Sequence, residues 1–595
     1  MAGYLFVHFI GEGEQGEQVY FSLSRDGMYW KDLNNGKPVL TWNKGEQGVR
    51  DPFLVRDERA GKYYLIATDL CIHQGKGWQV AQYAGSRDLI VWESEDLVNW
   101  SEPRNCTVGV EGAGCVWAPE AIFDRETNQF FVFWASMTQL EGDSEPKQRI
   151  YASYTHDFKN FSQPFVYMER ENHLIDTTMA YENGWYYRVT KDETTKRLIL
   201  EKGQSIRGEF EQIESEVLRQ LEGVEGPEMY LLPDEKTWCL IADRFATHKG
   251  YLPLLCTDLQ SGVFAIPQDE AYDMGQNQKR HGGVLRLTDE EYMRLWNAYT
   301  LDGQILEGQY ADPDIAFFNG KVYLYPTTDG FDKWSGTEFY VFSSQDGKHY
   351  TRENRILDLA SEQVPWAIGS AWAPCIAHKN GKYYFYFCGK MKNETPAIGV
   401  AVADVPEGPF TAQPEPLLTM ELMEQLGIKM GQTIDPSIYV EGEKTWLLFG
   451  NTHPAIVQLT DDMLGILPET MQNLEGAYDF REAITVFKRD GIYHFTWSCD
   501  DTGSEDYHVN YGISDSLYGP IEFKYPILEK RPDKQMFGTG HHCITKVPEE
   551  DRYVIGYHRF ATPVKKYPEG KGYHREVCLA EITFGEDGLI QPVEI

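Results

Sequence analysis

The sequence has no CxxC pair among its ten cysteines, and several of these lie inside aromatic, strand-like runs, as at Cys239, Cys388 and Cys499. Scattered thiols of this kind exclude a disulfide frame or a zinc knuckle and read as buried cysteines in a reducing compartment. No apolar run is long enough to cross a bilayer. The first residues, Met1-Ala2-Gly3-Tyr4-Leu5-Phe6-Val7-His8, lack a basic region, and Gly11-Glu12-Gly13-Glu14 ends the apolar stretch. Neither a signal peptide nor an anchor is expected there, and the expected location is the cytoplasm. Positive charge is also scarce. With 55 Lys and Arg against 91 Asp and Glu, the net charge of −36 repels nucleic acid and anionic membranes and leaves a neutral, hydroxyl-rich partner acceptable. No low-complexity linker interrupts the 595 residues.

What the chain has in abundance is aromatic residues, 14%, and a long internal repeat. Arg50-Asp51-Pro52 recurs as Ala311-Asp312-Pro313, Trp117-Ala118-Pro119 as Trp372-Ala373-Pro374, and Ile175-Asp176-Thr177 as Ile434-Asp435-Pro436. Glu225 recurs as Glu482, and the glycine-flanked His281 as His541. The offset stays near about 260 residues throughout, which is the signature of a duplicated domain. A boundary near residue 300 divides the chain into 1–300 and 301–595. The stretch Asp289–Trp296, with an acidic first turn, predicts a helix at that junction.

A shorter repeat lies inside each copy. A polar turn precedes an aromatic strand at Gly61-Lys62-Tyr63-Tyr64, Asn128-Gln129-Phe130-Phe131, Asn183-Gly184-Trp185-Tyr186 and Glu235-Lys236-Thr237-Trp238, and the second copy carries five such sites. Their spacing of roughly 45–65 residues is close to a four-stranded propeller blade. The fold class expected is all-β, as two tandem five-bladed β-propellers. Gly282-Gly283-Val284-Leu285 would close the first copy with the N-terminal strand Tyr4–Ile10. A β-sandwich fits five recurring aromatic strands less well. Ser22–Trp30 and Ser343–Tyr350 read as outer hairpins with Asp-Gly turns.

Each copy places three acids on different blades: Asp51, Asp176 and Glu225, then Asp312, Asp435 and Glu482. Innermost propeller strands aim residues at a common axis, so acids far apart in sequence can meet. Glycoside hydrolysis needs a proton donor for the leaving oxygen and a base for water, and a third carboxylate raises the donor's pKa by repulsion. A lone Asp-Pro is an ordinary turn; the ordered set, twice, is what points to catalysis.

On these motifs, with Val224-Glu225-Gly226-Pro227 and Gly538-Thr539-Gly540-His541-His542, both halves resemble glycoside hydrolase family 43. The resemblance implies an inverting mechanism with Asp51 and Asp312 as bases, Asp176 and Asp435 as pKa-modulating acids, and Glu225 and Glu482 as proton donors. It also implies a histidine near each axis, His281 and His541, in contact with substrate or beside a bound calcium ion. No acidic calcium loop is visible, so no cofactor is required and any ion is structural. Trp117 and Trp372 are expected to line the sugar pocket, and Arg559 to contact substrate. Cys71–Gln82 and Thr327–Gly336, the latter with Phe331 and Trp334, are expected to form the rims. The substrate class that the resemblance implies is terminal α-L-arabinofuranosyl, or related β-xylosyl or galactofuranosyl, units of plant oligosaccharides. Two departures stand out. Asp176 is followed by Thr177 rather than proline, and Glu482 lies in Arg481-Glu482-Ala483-Ile484, with Glu475 and Asp479 as rivals. These departures leave open a second half that binds carbohydrate without cleaving it, and a phosphorylase is a remoter alternative.

Overall fold

The computed structural model describes residues 3–595. It divides into two compact units, Met1–Leu301 and Asp302–Ile595. Each unit holds five antiparallel sheets of three or four strands. In the first unit the leading strands are Val49–Asp57, Trp117–Asp124, Leu174–Glu182, Glu225–Leu231 and Gly282–Leu287. Each touches the next in that order, and the last touches the first. Gly282–Leu287 reaches its place by pairing with the N-terminal strand Gly3–His8, from Gly3 opposite Leu287 to His8 opposite Gly282. In the second unit the leading strands Tyr310–Phe318, Ala367–Lys379, Ser437–Glu441, Glu482–Arg489 and Gly540–Lys546 make the same cyclic series of contacts.

The high aromatic content goes into the layers between neighbouring sheets. Phe339, Phe385, Phe387 and Trp366 form one such layer, with Trp366 stacked on Phe387 at 5.8 Å. Large flat side chains on alternate strand positions fill the space between twisted sheets, and offset or edge-on ring pairs add to the area they bury.

Most leading strands share one local distortion, while Gly282–Leu287 and Ser437–Glu441 pair without it. Arg50 opposes Thr68 but Phe53 opposes Ile66, so the leading strand carries an extra residue; Trp117/Glu120, Glu225/Glu228, Trp372/Cys375 and Glu482/Thr485 repeat the pattern. The backbone at these places enters the left-handed region: φ is 49° at Asp51, 48° at Ala118, 48° at Asp176, 46° at Asp312, 41° at Ala373, 62° at Asp435 and 57° at Ala483. Such bulges re-aim side chains and recur beside active sites, and the left-handed backbone costs a non-glycine residue roughly 1–2 kcal/mol. The strain is spent where acids must turn toward the common centre of the unit.

The outer hairpins use a Ser/Thr-x-Asp turn. Ser24 Oγ and Asp26 Oδ1 accept the backbone N–H groups of the next residues, and Ser344 and Asp346 do the same. The motif also occurs at Ser94–Asp96 and Thr155–Asp157. There the left-handed position is Leu97 or Phe158 instead of glycine, each fully buried, so packing offsets the backbone cost.

The expected helix spans Asp289–Tyr299. Thr288 Oγ accepts from Glu291 N and the Glu291 side chain accepts from Thr288 N, a complete capping box. Tyr292, Leu295 and Trp296 pack against Leu5 and Val7. Thr288→Ala is expected to destabilise the first unit by about 1 kcal/mol, read as a lower urea midpoint.

Candidate active sites

In the first unit the bulges bring Asp51, Asp176 and Glu225 together around His281. His281 Nδ1 lies 3.3 Å from Asp51 Oδ1 and 3.8 Å from Asp176 Oδ1. Thr68 Oγ1 donates to Asp51 Oδ2 at 2.8 Å, and Gly226 N donates to Asp176 Oδ2 at 3.1 Å. Burial works against the charged forms of all these groups. It is overcome at Asp51, which the His281 hydrogen bond and charge hold below the usual carboxylate range. It prevails at Asp176, pushed up to about 6. Burial would lower His281, but Asp176 and Asp51 raise it to about 9, so the ring is an imidazolium at neutral pH. Glu225 accepts from Lys191 Nζ and Arg280 Nη2, each at 2.8 Å, and these cations overcome burial to keep it below its ordinary value. Arg280 also binds the fully buried Asp243.

In the second unit Asp312 Oδ1 is met by Arg575 Nη1 at 3.0 Å, His558 Nδ1 at 3.0 Å and His541 Nδ1 at 3.4 Å. Despite burial, Arg575 and the histidines hold Asp312 well below the carboxylate range. Arg575 is itself gripped by Asp329, through Nε at 2.8 Å and Nη2 at 3.2 Å. Asp435, with Oδ2 lacking any hydrogen-bond partner, is pushed well up by burial and then by Glu482 and Asp312. Glu482 accepts from Tyr507 OH at 2.9 Å and Asn451 Nδ2 at 3.0 Å, and burial raises it. Its rivals Glu475 and Asp479 are exposed and lie outside this cluster. His541, unlike His281, is lowered by burial, so the ring is neutral.

Each centre therefore holds one carboxylate held ionised, one buried acid pushed upward and one glutamate around a histidine, on leading strands except for Asp435, which just precedes Ser437–Glu441. The comparisons with known proteins bear on what such centres do. Residues 1–293 match the family model described as a probable glycosyl hydrolase domain, and residues 303–590 match that of glycosyl hydrolases family 43. The xylosidase/arabinosidase 43A of Humicola insolens is 30% identical over 338 residues, covering 47% of this chain and 95% of that protein. The chain belongs to glycoside hydrolase family 43. A β-D-galactofuranosidase of Aspergillus niger is 29% identical over 306 residues, 49% of this chain and 84% of its own. An α-L-arabinofuranosidase of Bifidobacterium longum is 30% identical over 326 residues, and this chain spans only 30% of its length.

In this family 43 hydrolase Trp117 and Trp372 each meet a tryptophan of an expected rim segment, Trp78 and Trp334. Trp117 is half-buried, packs edge-on to Trp78 at 6.0 Å, and Arg50 lies over the Trp78 ring. Trp372 donates Nε1 to Trp334 O at 2.7 Å, and Trp334 meets Tyr573 at 4.5 Å. Phe331 is exposed beside them in sequence. Arg559 is a correction. Its side chain is fully buried and binds Glu576 and Asp302, away from the carboxylates. On a strand alternate residues face opposite ways, so His558 meets Asp312 while Arg559 turns from it. The guanidinium at the centre is that of Arg575, which pairs across from Phe560.

Sequence reasoning also missed Lys191, Arg280, Asn451, Tyr507, His558 and Asp329, although Thr68-Asp69 recurs as Thr328-Asp329 and could have pointed to the last. It missed Glu120 and Glu228 as well, a buried pair beneath His281 in which Glu228 is raised to about 7 by burial. Asp435, Glu482 and His541 each offer a ligand atom within 4.8 Å of the others, a group that could hold a metal ion. A calcium ion there would complete its six to eight oxygens with water.

Proposed function

We propose that this chain is an inverting exo-glycosidase that releases terminal α-L-arabinofuranosyl, or related β-xylosyl or galactofuranosyl, units from plant-derived oligosaccharides, on two five-bladed β-propellers. Five sheets per unit with leading strands in cyclic contact support the propeller reading. The observation that carries the function is the division of acids in the second unit. Asp312 is held ionised by Arg575, while Glu482, bound by neutral donors and neighboured by the buried Asp435, favours its proton.

In this reading Asp312 takes a proton from water as it attacks the anomeric carbon. Glu482 gives its proton to the glycosidic oxygen as the bond to the anomeric carbon breaks through an oxocarbenium-like transition state, and the configuration inverts. Asp435, the modulator in this reading, is a buried acid beside Glu482, and burial together with the Asp312 charge favours the proton on Glu482. The half-buried tryptophan offers an apolar face to the sugar ring, with the polar groups fixing its hydroxyls. In the first unit the corresponding positions are Asp51, Asp176 and Glu225.

Nitrophenyl α-L-arabinofuranoside, β-D-xyloside and β-D-galactofuranoside test the sugar class, and at least one should be cleaved. Proton NMR of the first-formed sugar should show the inverted anomer. Silence on all three would reject this sugar class, and initial retention would reject the single displacement.

A further inference from the structure

The departures around Glu482 had singled out the second unit as the non-cleaving one. The surroundings of the two glutamates point the other way. Both oxygens of each glutamate are occupied, by cations in one unit and by neutral donors in the other. Lys191, opposite Ile175 where the Asp176 bulge begins, donates to Glu225 Oε2. In the second unit Asn451, which pairs with Gln432 just past the strand Lys444–Phe449, donates to Glu482 Oε2. Arg280, immediately before His281, donates to Glu225 Oε1. The residue immediately before His541 is Gly540, and a Cβ there would lie 2.3 Å from Tyr507 Cε1. The missing side chain leaves room for Tyr507, whose hydroxyl donates to Glu482 Oε1.

A third exchange completes the set. Asp243, opposite Glu225, is the buried carboxylate that anchors Arg280; the residue opposite Glu482 is Ser498, which accepts from His541 N. The cation nearest Glu482, Arg481 Nε, stays at 3.7 Å and turns its Nη2 to Asp501. Protonating a carboxylate that bridges two anchored cations removes the negative charge that both hydrogen bonds depend on, whereas the loss is much smaller with amide and phenol donors.

We propose that the first unit binds the terminal neutral sugar of the same oligosaccharide without cleaving it, because Lys191 and Arg280 occupy both oxygens of Glu225, and that cleavage belongs to the second unit. This rests on the glycosidase reading above. Trp117 and Trp78 supply the apolar platform, and Asp51 with Thr68 the polar edge.

Two measurements on the full chain test it. Asp312→Asn should lower turnover of every nitrophenyl glycoside that the wild type cleaves by about 10³-fold or more, although the first unit is untouched. Calorimetry of that variant with the same glycosides should count two sites per chain, and one after Trp117→Ala is added. Turnover remaining above about a hundredth of wild type, or a single site before Trp117→Ala, would overturn the proposal. If Asp312→Asn does not fold, Glu482→Gln with a disaccharide substrate replaces it, and Trp78→Ala replaces Trp117→Ala on the same ground. A wild-type chain silent on every glycoside would sink the glycosidase reading instead, while the calorimetric count still decides for or against binding in the first unit.

The reverse exchange asks whether a cation at this position disables the acid. Asn451→Lys should slow a disaccharide by about 10²-fold or more and a nitrophenyl glycoside by about 10-fold or less. Equal losses on both would count against it.

Discussion

Glu482→Gln is expected to slow cleavage of a disaccharide by about 10³-fold or more while slowing the matching nitrophenyl glycoside by about 10-fold or less. The difference lies in the leaving oxygen. A sugar alkoxide is far too basic to depart without a proton, whereas nitrophenolate departs as the anion. Glutamine keeps the size of Glu482 and can still hydrogen-bond to Tyr507 and Asn451, so the second unit should remain folded. The pH profile gives an independent reading. Glu482, raised by burial, must be protonated, so the rate falls as pH rises through its pKa. Asp312, held low, must be ionised, so the rate falls as pH drops through its pKa. The glutamine variant should lose the alkaline limb and keep the acid limb. Equal losses on both substrates, with both limbs intact, would remove Glu482 from the donor role.

The repeat that announced the duplication also located the acids, because Asp51, Asp176, Asp312 and Asp435 sit in short motifs whose order survives in both halves. Their local environment was much less legible. Lys191 lies in an ordinary strand, Val189-Thr190-Lys191-Asp192, and only its pairing opposite Ile175 turns it toward Glu225. Tyr507 enters the second site because Gly540 lacks a side chain, a relation between two residues that neither position reveals alone. The Asp-Gly hairpins were readable because glycine marks a left-handed turn. The equivalent turns at Leu97 and Phe158 were not, since burial rather than residue type stabilises them there. Arg559 shows the same limit. The strand was found, but which of two adjacent side chains faces the centre depends on register, and a step of one residue reverses it.

Arg575→Met is expected to cost the second unit about 3–5 kcal/mol and to impair turnover as well. Arg575 is buried between Asp312 and Asp329, and its removal leaves two buried carboxylates facing each other without a cation. Burial already pushes Asp329 up to about 6 with Arg575 in place, so in the variant this group neutralises first. Asp312 then loses the charge that holds it low. In the wild type its depressed pKa contributes stability that is present above the unfolded carboxylate value of about 3.9 and is lost as pH falls through the lower folded value. The gap in urea midpoint between wild type and variant should therefore be widest near neutral pH and narrow below about pH 4. The acid limb of the rate profile should move to higher pH at the same time, because the base now protonates sooner. Arg575→Lys keeps the charge but loses the fork that spans Asp312 and Asp329, so it should fall between the two in stability and shift the acid limb less. Because the chain has two units, the unfolding must be followed with a probe that reports the second, such as the Trp497 environment. A midpoint gap that stays constant from neutral pH to below pH 4, with the acid limb unmoved, would mean that Arg575 does not set the charge of Asp312.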